Sequence, residues 1–186
     1  MGRWTRTILL AGLAVAALGA PATSSASDPY AGLLAPESAC PGQTDPNLSD
    51  SAKAEAMVCM HRYARSHAGD GGIHSIKSLR SSSHHKARDI RRCGQFSHYA
   101  CHRDAFYWFQ RVGFFRGTYG GGENLALTYG SNSTVREAMD LWLNSDEHRR
   151  VLLTRQYDDI GVSVVSGHFD GNGGATIWVA HFGYHH

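Results

Sequence analysis

Ile160-Gly161-Val162-Ser163-Val164-Val165, followed by Thr176-Ile177-Trp178-Val179-Ala180-His181-Phe182, is the stretch whose reading decides the fold. Ile160, Val162 and Val164 alternate with Gly161, Ser163 and Val165, the period-two pattern of a strand with a buried face. A second strand runs from Thr176 to Phe182, and the Gly- and Asn-rich segment between the two reads as a hairpin loop. The chain therefore closes on antiparallel strands.

Working upstream, the period becomes helical. Ser133 starts a helix whose inner face is Val135, Ala138, Met139 and Trp142, with His148 just beyond its end. Before it, Gly120-Gly121-Gly122 precedes Glu123, and Asn124-Leu125-Ala126-Leu127 reads as a short buried strand. Asp104 opens a helix carrying Ala105, Phe106, Phe109 and Val112 as a core stripe, which Gly113 terminates. Another helix is expected from about Ser78 to Cys93, with Leu79, Ser83, Ala87 and Ile90 inward and its Arg and Lys residues outward. The His84-His85 pair within it diverges by about 100°, which favours a solvated or half-buried pair over a metal site. Ser49 or Asp50 caps the first helix, in which Ala52, Ala56, Met60 and Tyr63 recur and which ends near Gly69. Helices first and strands last describe an α+β domain with helices packed on a small antiparallel sheet.

The N-terminal segment follows other rules. Arg3 and Arg6 precede an apolar run from Ile8 to Leu18, and Ser24-Ser25-Ala26 supplies small residues for cleavage, so residues 1–26 read as a signal peptide. Cleavage before Ser27 is expected, with Ala22 as the alternative point. No second long apolar run follows, so the expectation is a secreted or extracytoplasmic protein with no membrane span after signal cleavage. Residues 27–48, with Pro29, Pro36, Pro41 and Pro46, read as an extended leader, and 49–186 as the domain. Removing Arg3 and Arg6 takes the 18 Lys and Arg down to 16, level with the 16 Asp and Glu. That balance argues against a nucleic-acid partner, and Arg88, Arg91 and Arg92 read as a solvated helix end. The cysteines, Cys40, Cys59, Cys93 and Cys101, suit an oxidising compartment. Of the three pairings, Cys40 with Cys59 and Cys93 with Cys101 close local loops; a tetrahedral zinc site lacks its usual close Cys pairs.

Three motifs hold the candidate chemistry: Phe96-Ser97-His98, Gly122-Glu123-Asn124-Leu125-Ala126, and Trp142-Leu143-Asn144-Ser145-Asp146-Glu147-His148-Arg149. Glu123 follows three glycines and precedes a buried strand, so its carboxylate points inward and must be paired or hydrogen-bonded. His98, in the loop flanked by Cys93 and Cys101, and His148, one turn beyond Trp142 and Ser145, are its expected partners. Two neutral imidazoles and a carboxylate suit zinc or another divalent metal, with His98 and His148 as ligands. Without metal the same set is a hydrogen-bonded polar cluster. No His-Glu-x-x-His helix or Gly-x-Ser-x-Gly elbow is present, and the cysteines are accounted for as bridges.

With these motifs, and with Tyr157, Ile160-Gly161-Val162 and Trp178-Val179-Ala180-x-Phe182-Gly183, the chain resembles the CAP superfamily of cysteine-rich secretory, antigen 5 and pathogenesis-related 1 proteins, in its compact bacterial form. The resemblance covers about Asp50 to Gly183 and implies an α-β-α sandwich. It implies that His98 and His148 are the cavity histidines and Glu123 the first cavity glutamate. Ser145 stands where many animal and plant members carry a second glutamate, so a four-residue His-Glu-Glu-His centre is incomplete here. Members bind divalent metals, lipids and partner proteins, so a small-molecule, lipid or protein ligand is implied. The first expectation is a non-enzymatic module presenting a His98, Glu123, His148 cavity, with Asn124 bracing the loop. The alternatives are a metal-assisted hydrolase with Glu123 as general base and a purely structural envelope-associated module.

Overall fold

The structure, a computed structural model, describes residues 28–117 and 119–185; the signal segment 1–26 lies outside them. In chain order the elements are α1 (Asp50–His67), β1 (His74–Ser75), α2 (Lys77–Cys93), α3 (Tyr107–Arg111), β2 (Tyr119–Tyr129), α4 (Val135–Leu143), α5 (Asp146–Leu152), β3 (Asp159–Phe169) and β4 (Asn172–His185). The alternating run is β3, and it turns into β4 through Asp170-Gly171. Both turn residues have positive φ, 49° and 78°, the backbone of a two-residue hairpin. The two strands therefore run much closer to the turn than their apolar stretches alone indicate.

The four strands lie in the order β1-β3-β4-β2. The three long strands are antiparallel, and the two-residue β1 adds in parallel to the start of β3, so the sheet is mixed rather than purely antiparallel. Alternation divides the strand side chains between two layers. Ile160, Val162, Val164, Trp178, Ala180 and Phe182 pack with Met57 and Met60 of α1 and Ala138, Met139 and Trp142 of α4. Leu125, Val165, Ile177 and Val179 pack with Ala87 and Ile90 of α2 on the opposite face. An α-β-α sandwich is the result, as expected. The layers approach closely at Gly161, where a Cβ would lie 2.0 Å from the carbonyl carbon of Leu79 and 2.2 Å from the amide of Arg80.

Local signals place the helices well. Ser49 Oγ accepts from the Ala52 amide and Thr134 Oγ1 from the Glu137 amide, the N-caps of α1 and α4. The buried stripe of α1 is rotated from the expected one: Lys53, Met57, Met60, His61 and Ala64 face the core, while Ala52, Ala56 and Tyr63 are half-buried at its flank. In α2 the expected face is buried, together with Ser82 and Lys86, so one of the lysines assigned outward is in fact inside. The His84 and His85 rings diverge, with centroids 6.3 Å apart, and both residues are exposed. The helix expected from Asp104 begins only at Tyr107, because Asp104 Oδ1 takes the Phe106 amide at 2.9 Å and holds that turn out of helical register. Phe109 is its fully buried core residue.

Residues 28–48 differ from an extended leader. They form a series of turns packed on the domain, with Ala35 and Cys40 inside the main apolar cluster. The Gln43 amide, fully buried, donates to the carbonyls of Ala35 and Cys40, and Arg136 of α4 donates to the Ala35 carbonyl and Gln43 Oε1. Disulfides join Cys40 to Cys59 and Cys93 to Cys101, the pairing that closes local loops. No helix among the described residues is long and apolar enough to cross a membrane.

A buried carboxylate cluster as the candidate functional site

The glycines before Glu123 belong to the strand itself. A Cβ at Gly122 would lie 2.9 Å from Val151 and 3.0 Å from the Tyr157 hydroxyl, so the chain's bulkless run lets α5 and the Tyr157 ring lie against the end of β2. Period two then sends Glu123 and Asn124 to opposite sides. Asn124, fully buried, donates from Nδ2 to the His148 carbonyl at 2.9 Å and so ties α5 to β2. Glu123 faces α2.

There its carboxylate is gripped from three directions. His98 Nδ1 donates to Oε1 at 2.6 Å, His181 Nε2 donates to Oε2 at 2.8 Å, and Lys86 Nζ stands 3.8 Å from Oε1. His98 comes from the loop closed by the Cys93–Cys101 disulfide, and its own carbonyl accepts from Lys86 Nζ at 2.5 Å. His181 is fully buried, stacks on Phe109 with centroids 4.3 Å apart, and meets Ser82 Oγ through Nδ1 at 2.7 Å. The bonds define its tautomer: Nε2 carries the hydrogen given to Glu123 and Nδ1 accepts from the serine hydroxyl.

Burial is the largest influence on Glu123 and pushes its pKa up, but the hydrogen bonds from His181 and His98 and the charges of His181 and Lys86 outweigh it and leave the carboxyl below its ordinary value. Burial also lowers the His181 pKa, against the hydrogen bond and the charge of Glu123, which pull it up. Lys86 is lowered by burial and partly restored by Glu123. The site is an ionised glutamate held by an ammonium and two imidazole donors.

Of the expected pair of histidines, His98 meets Glu123, and the second imidazole on the carboxylate is His181 rather than His148. His148 lies in α5, where its Nδ1 meets Ser145 Oγ at 2.8 Å. It is near enough to His98 to respond to it: burial lowers the His148 pKa first, and His98 pushes it the same way. Lys86, His181 and Ser82 were missed, yet each left a trace. Lys86 falls on the stripe Leu79, Ser82, Ser83, Ala87, Ile90, and His181 falls on the same face of β4 as Ile177 and Val179. The rest of the Trp142–Arg149 motif is structural: Trp142 Nε1 donates to the Leu125 carbonyl at 3.0 Å, and Arg149 donates to the Leu143 carbonyl at 2.7 Å and pairs with Asp146.

Among the described residues no group of three or more His, Cys, Asp and Glu side chains is arranged to hold a metal ion. The cluster explains this, since Nδ1 of His98 and both nitrogens of His181 are already engaged and Lys86 places a positive charge beside Oε1. Nε2 of His98 and Nε2 of His148 take part in no hydrogen bond among the described residues.

A model of the CAP or cysteine-rich secretory protein family matches residues 41–182, well over half of the chain. The chain belongs to this family. The CAP match spans all three motifs and every residue of the Glu123 cluster. Among solved structures, the CAP chain is similar to an extracellular protein containing an SCP domain from Bacillus anthracis, at 21% identity and TM-score 0.59, over 72% of this chain and 40% of that one. It is similar to an outer surface protein from Borrelia burgdorferi, at 16% identity and TM-score 0.61, over 75% of this chain and 97% of that one. A cysteine-rich secretory protein from Staphylococcus aureus matches at 15% identity and TM-score 0.54, over 74% and 40%. The CAP chain thus spans about 40% of the length of the Bacillus and Staphylococcus proteins, and at these identities the likeness is one of fold. Comparison with curated protein sequences finds no match.

Proposed function

We propose that this chain is an extracytoplasmic, non-enzymatic CAP module that binds a small-molecule, lipid or protein ligand at the surface where His98 emerges. The observation that carries this reading is the state of Glu123: both carboxylate oxygens are engaged, while the side chain of His98 that holds one of them remains 56% exposed. A general base needs a pKa near the working pH and a lone pair open to water. Glu123 has its pKa lowered and its oxygens occupied, so it serves to orient His98 rather than to take a proton. Exposed Phe96 and Tyr99 flank His98 and supply an apolar rim. Two disulfides suit an oxidising compartment, and the extracellular and outer-surface neighbours support the same placement.

A divalent cation has a subsidiary place in this proposal. Nε2 of His98 and Nε2 of His148 are the donors available to it, two where a catalytic zinc uses three protein ligands. That donor set supports binding and not metal-assisted hydrolysis. The test is hydrolysis of generic protein and ester substrates by the full chain, with and without zinc, in wild type and Glu123→Ala. No turnover is expected in any arm; metal-dependent turnover lost in Glu123→Ala overturns the non-enzymatic reading. Thermal melts separate a binding role from a purely structural one: zinc should raise the wild-type midpoint and leave His98→Ala unmoved.

A further inference from the structure

The outer edge of β3 lies across the sheet from the Glu123 cluster, and its chemistry is independent of it. β1 covers this edge only at Asp159 and Ile160, and its last bond runs from the Ile76 amide to the Ile160 carbonyl at 3.0 Å. There the chain leaves the sheet to enter α2. Further along, the Ser166 amide donates to Asp50 Oδ2 at 3.1 Å and the Ser166 carbonyl accepts from Arg91 at 3.3 Å. Asp158, Ile160 and Ser166 thus all turn backbone groups outward, and alternation requires the same of Val162 and Val164. No hydrogen bond among the described residues reaches either valine on that side. The edge is stopped at both ends and open between, over ~20 Å at the usual rise per residue.

Helices α1 and α2 rise on either side of this opening and make a groove of about 740 Å³ with Val162 to Val165 as its floor. The two walls differ. Ala54 and Val58 of α1 present small apolar surface between Ser51, Glu55 and Arg62, whereas Arg80, His84, Arg88 and Arg91 of α2, at intervals of one helical turn, present a single basic stripe. Burial lowers the pKa of His84 and the charges of Arg88, His85 and Arg91 push it the same way, so the arginines carry the charge of this wall. Asp50 and Glu55 are the acids of the lining, and Asp50 is committed to Ser166.

We propose that this edge accepts an extended acidic peptide from a partner protein as a fifth strand, its backbone bonded to Val162 and Val164. A strand sends successive side chains to opposite sides. The peptide's alternate residues therefore meet the arginine wall and the Ala54–Val58 wall, which selects an alternation of acidic and small apolar residues. Main-chain bonds supply the affinity of such an added strand and the walls its specificity.

A fluorescent peptide of sequence Glu-Val-Asp-Val-Glu-Val, titrated into the full chain, tests this. Saturable binding is expected, weakened at least tenfold by Arg88→Glu, by high salt and by N-methylation of alternate peptide residues, together with slowed hydrogen exchange at the Val162 and Val164 amides. Arg88 is exposed, so its variant should melt with the wild type. Absence of binding overturns the proposal. So does binding that ignores N-methylation and leaves both amides unprotected, which marks a charge-only surface, and so does self-association of the chain that excludes the peptide, which makes a second copy the occupant.

Discussion

On the β2 edge of the sheet the outward carbonyls of Gly121 and Leu125 are taken by the Tyr157 hydroxyl at 2.8 Å and the Trp142 indole N–H at 3.0 Å, whereas on the β3 edge Val162 and Val164 face a groove between two helices. Both edges have helices beside them; on β2 side chains cap the middle of the strand, whereas on β3 Asp50 and Arg91 cap only Ser166 at its far end. An unpaired strand edge is a template for another chain unless it is covered or capped. The capped edge also carries the buried cluster, since Glu123 keeps its position only while the strand around it is held. The open edge keeps its positive charge on long side chains at the rim. The comparison shows that much of the motif content of this chain, Trp142 and Tyr157 in particular, closes backbone rather than performing chemistry.

Four measurements break or sharpen the contrast. The largest effect is expected at Gly161→Ala, because the new methyl overlaps the backbone of Leu79 and Arg80, which cannot yield as a side chain would. A loss of about 4 kcal/mol or more in chemical denaturation, or failure to fold, is expected; a near-neutral result means α2 does not rest on β3 as described. Next is Glu123→Ala, which strands the buried Lys86 ammonium and should cost about 3–5 kcal/mol. Combining Glu123→Leu with Lys86→Met should recover most of that loss, and additive losses instead would show that the two do not share one network.

Acid comes third. His61 is fully buried against Trp142 and Phe182, and burial brings its pKa down to about 4, despite the bond of its ring to the Met57 carbonyl. Its folded pKa lies below the unfolded value of 6.5, so its contribution is complete above pH 6.5 and is lost as pH falls to about 4. That loss is about 3 kcal/mol, measurable by urea melts at the two pH values. His61→Phe should flatten the slope. Glu123, also lowered, adds to the loss at more acid pH, below the ordinary carboxylate range. The smallest effect is Tyr157→Phe, which uncaps the Gly121 carbonyl and should cost about 1 kcal/mol in the same melts.

The fold was largely legible before any coordinates. Alternation in Ile160–Val165 located β3, the stripe Val135, Ala138, Met139, Trp142 located α4, and the disulfide partners followed from loop closure. Where reading failed, a local signal was overridden by contact. Lys86 was placed outward because lysine solvates well, but Glu123 lies above it. Residues 28–48 read as leader because Pro and Gly carry no period, yet Ala35 and Cys40 fill the core beside α1. The site was half legible: Glu123 with His98 was anticipated, and His181 was passed over because a histidine in a strand carries no mark of its partner.

Sequence by itself determined the order of the main elements, the inner face of α4 and the buried faces of the strands, and the presence of a carboxylate that had to be neutralised inside the sheet. These follow from periodicity and from the cost of burying charge, both local properties. Tertiary structure alone decided that His181 and Lys86, rather than His148, complete the Glu123 cluster, and that one sheet edge is capped while the other lies open. Such choices depend on which distant side chains arrive within hydrogen-bond reach, and that distance is set by the packing of layers, which no spacing along the chain records.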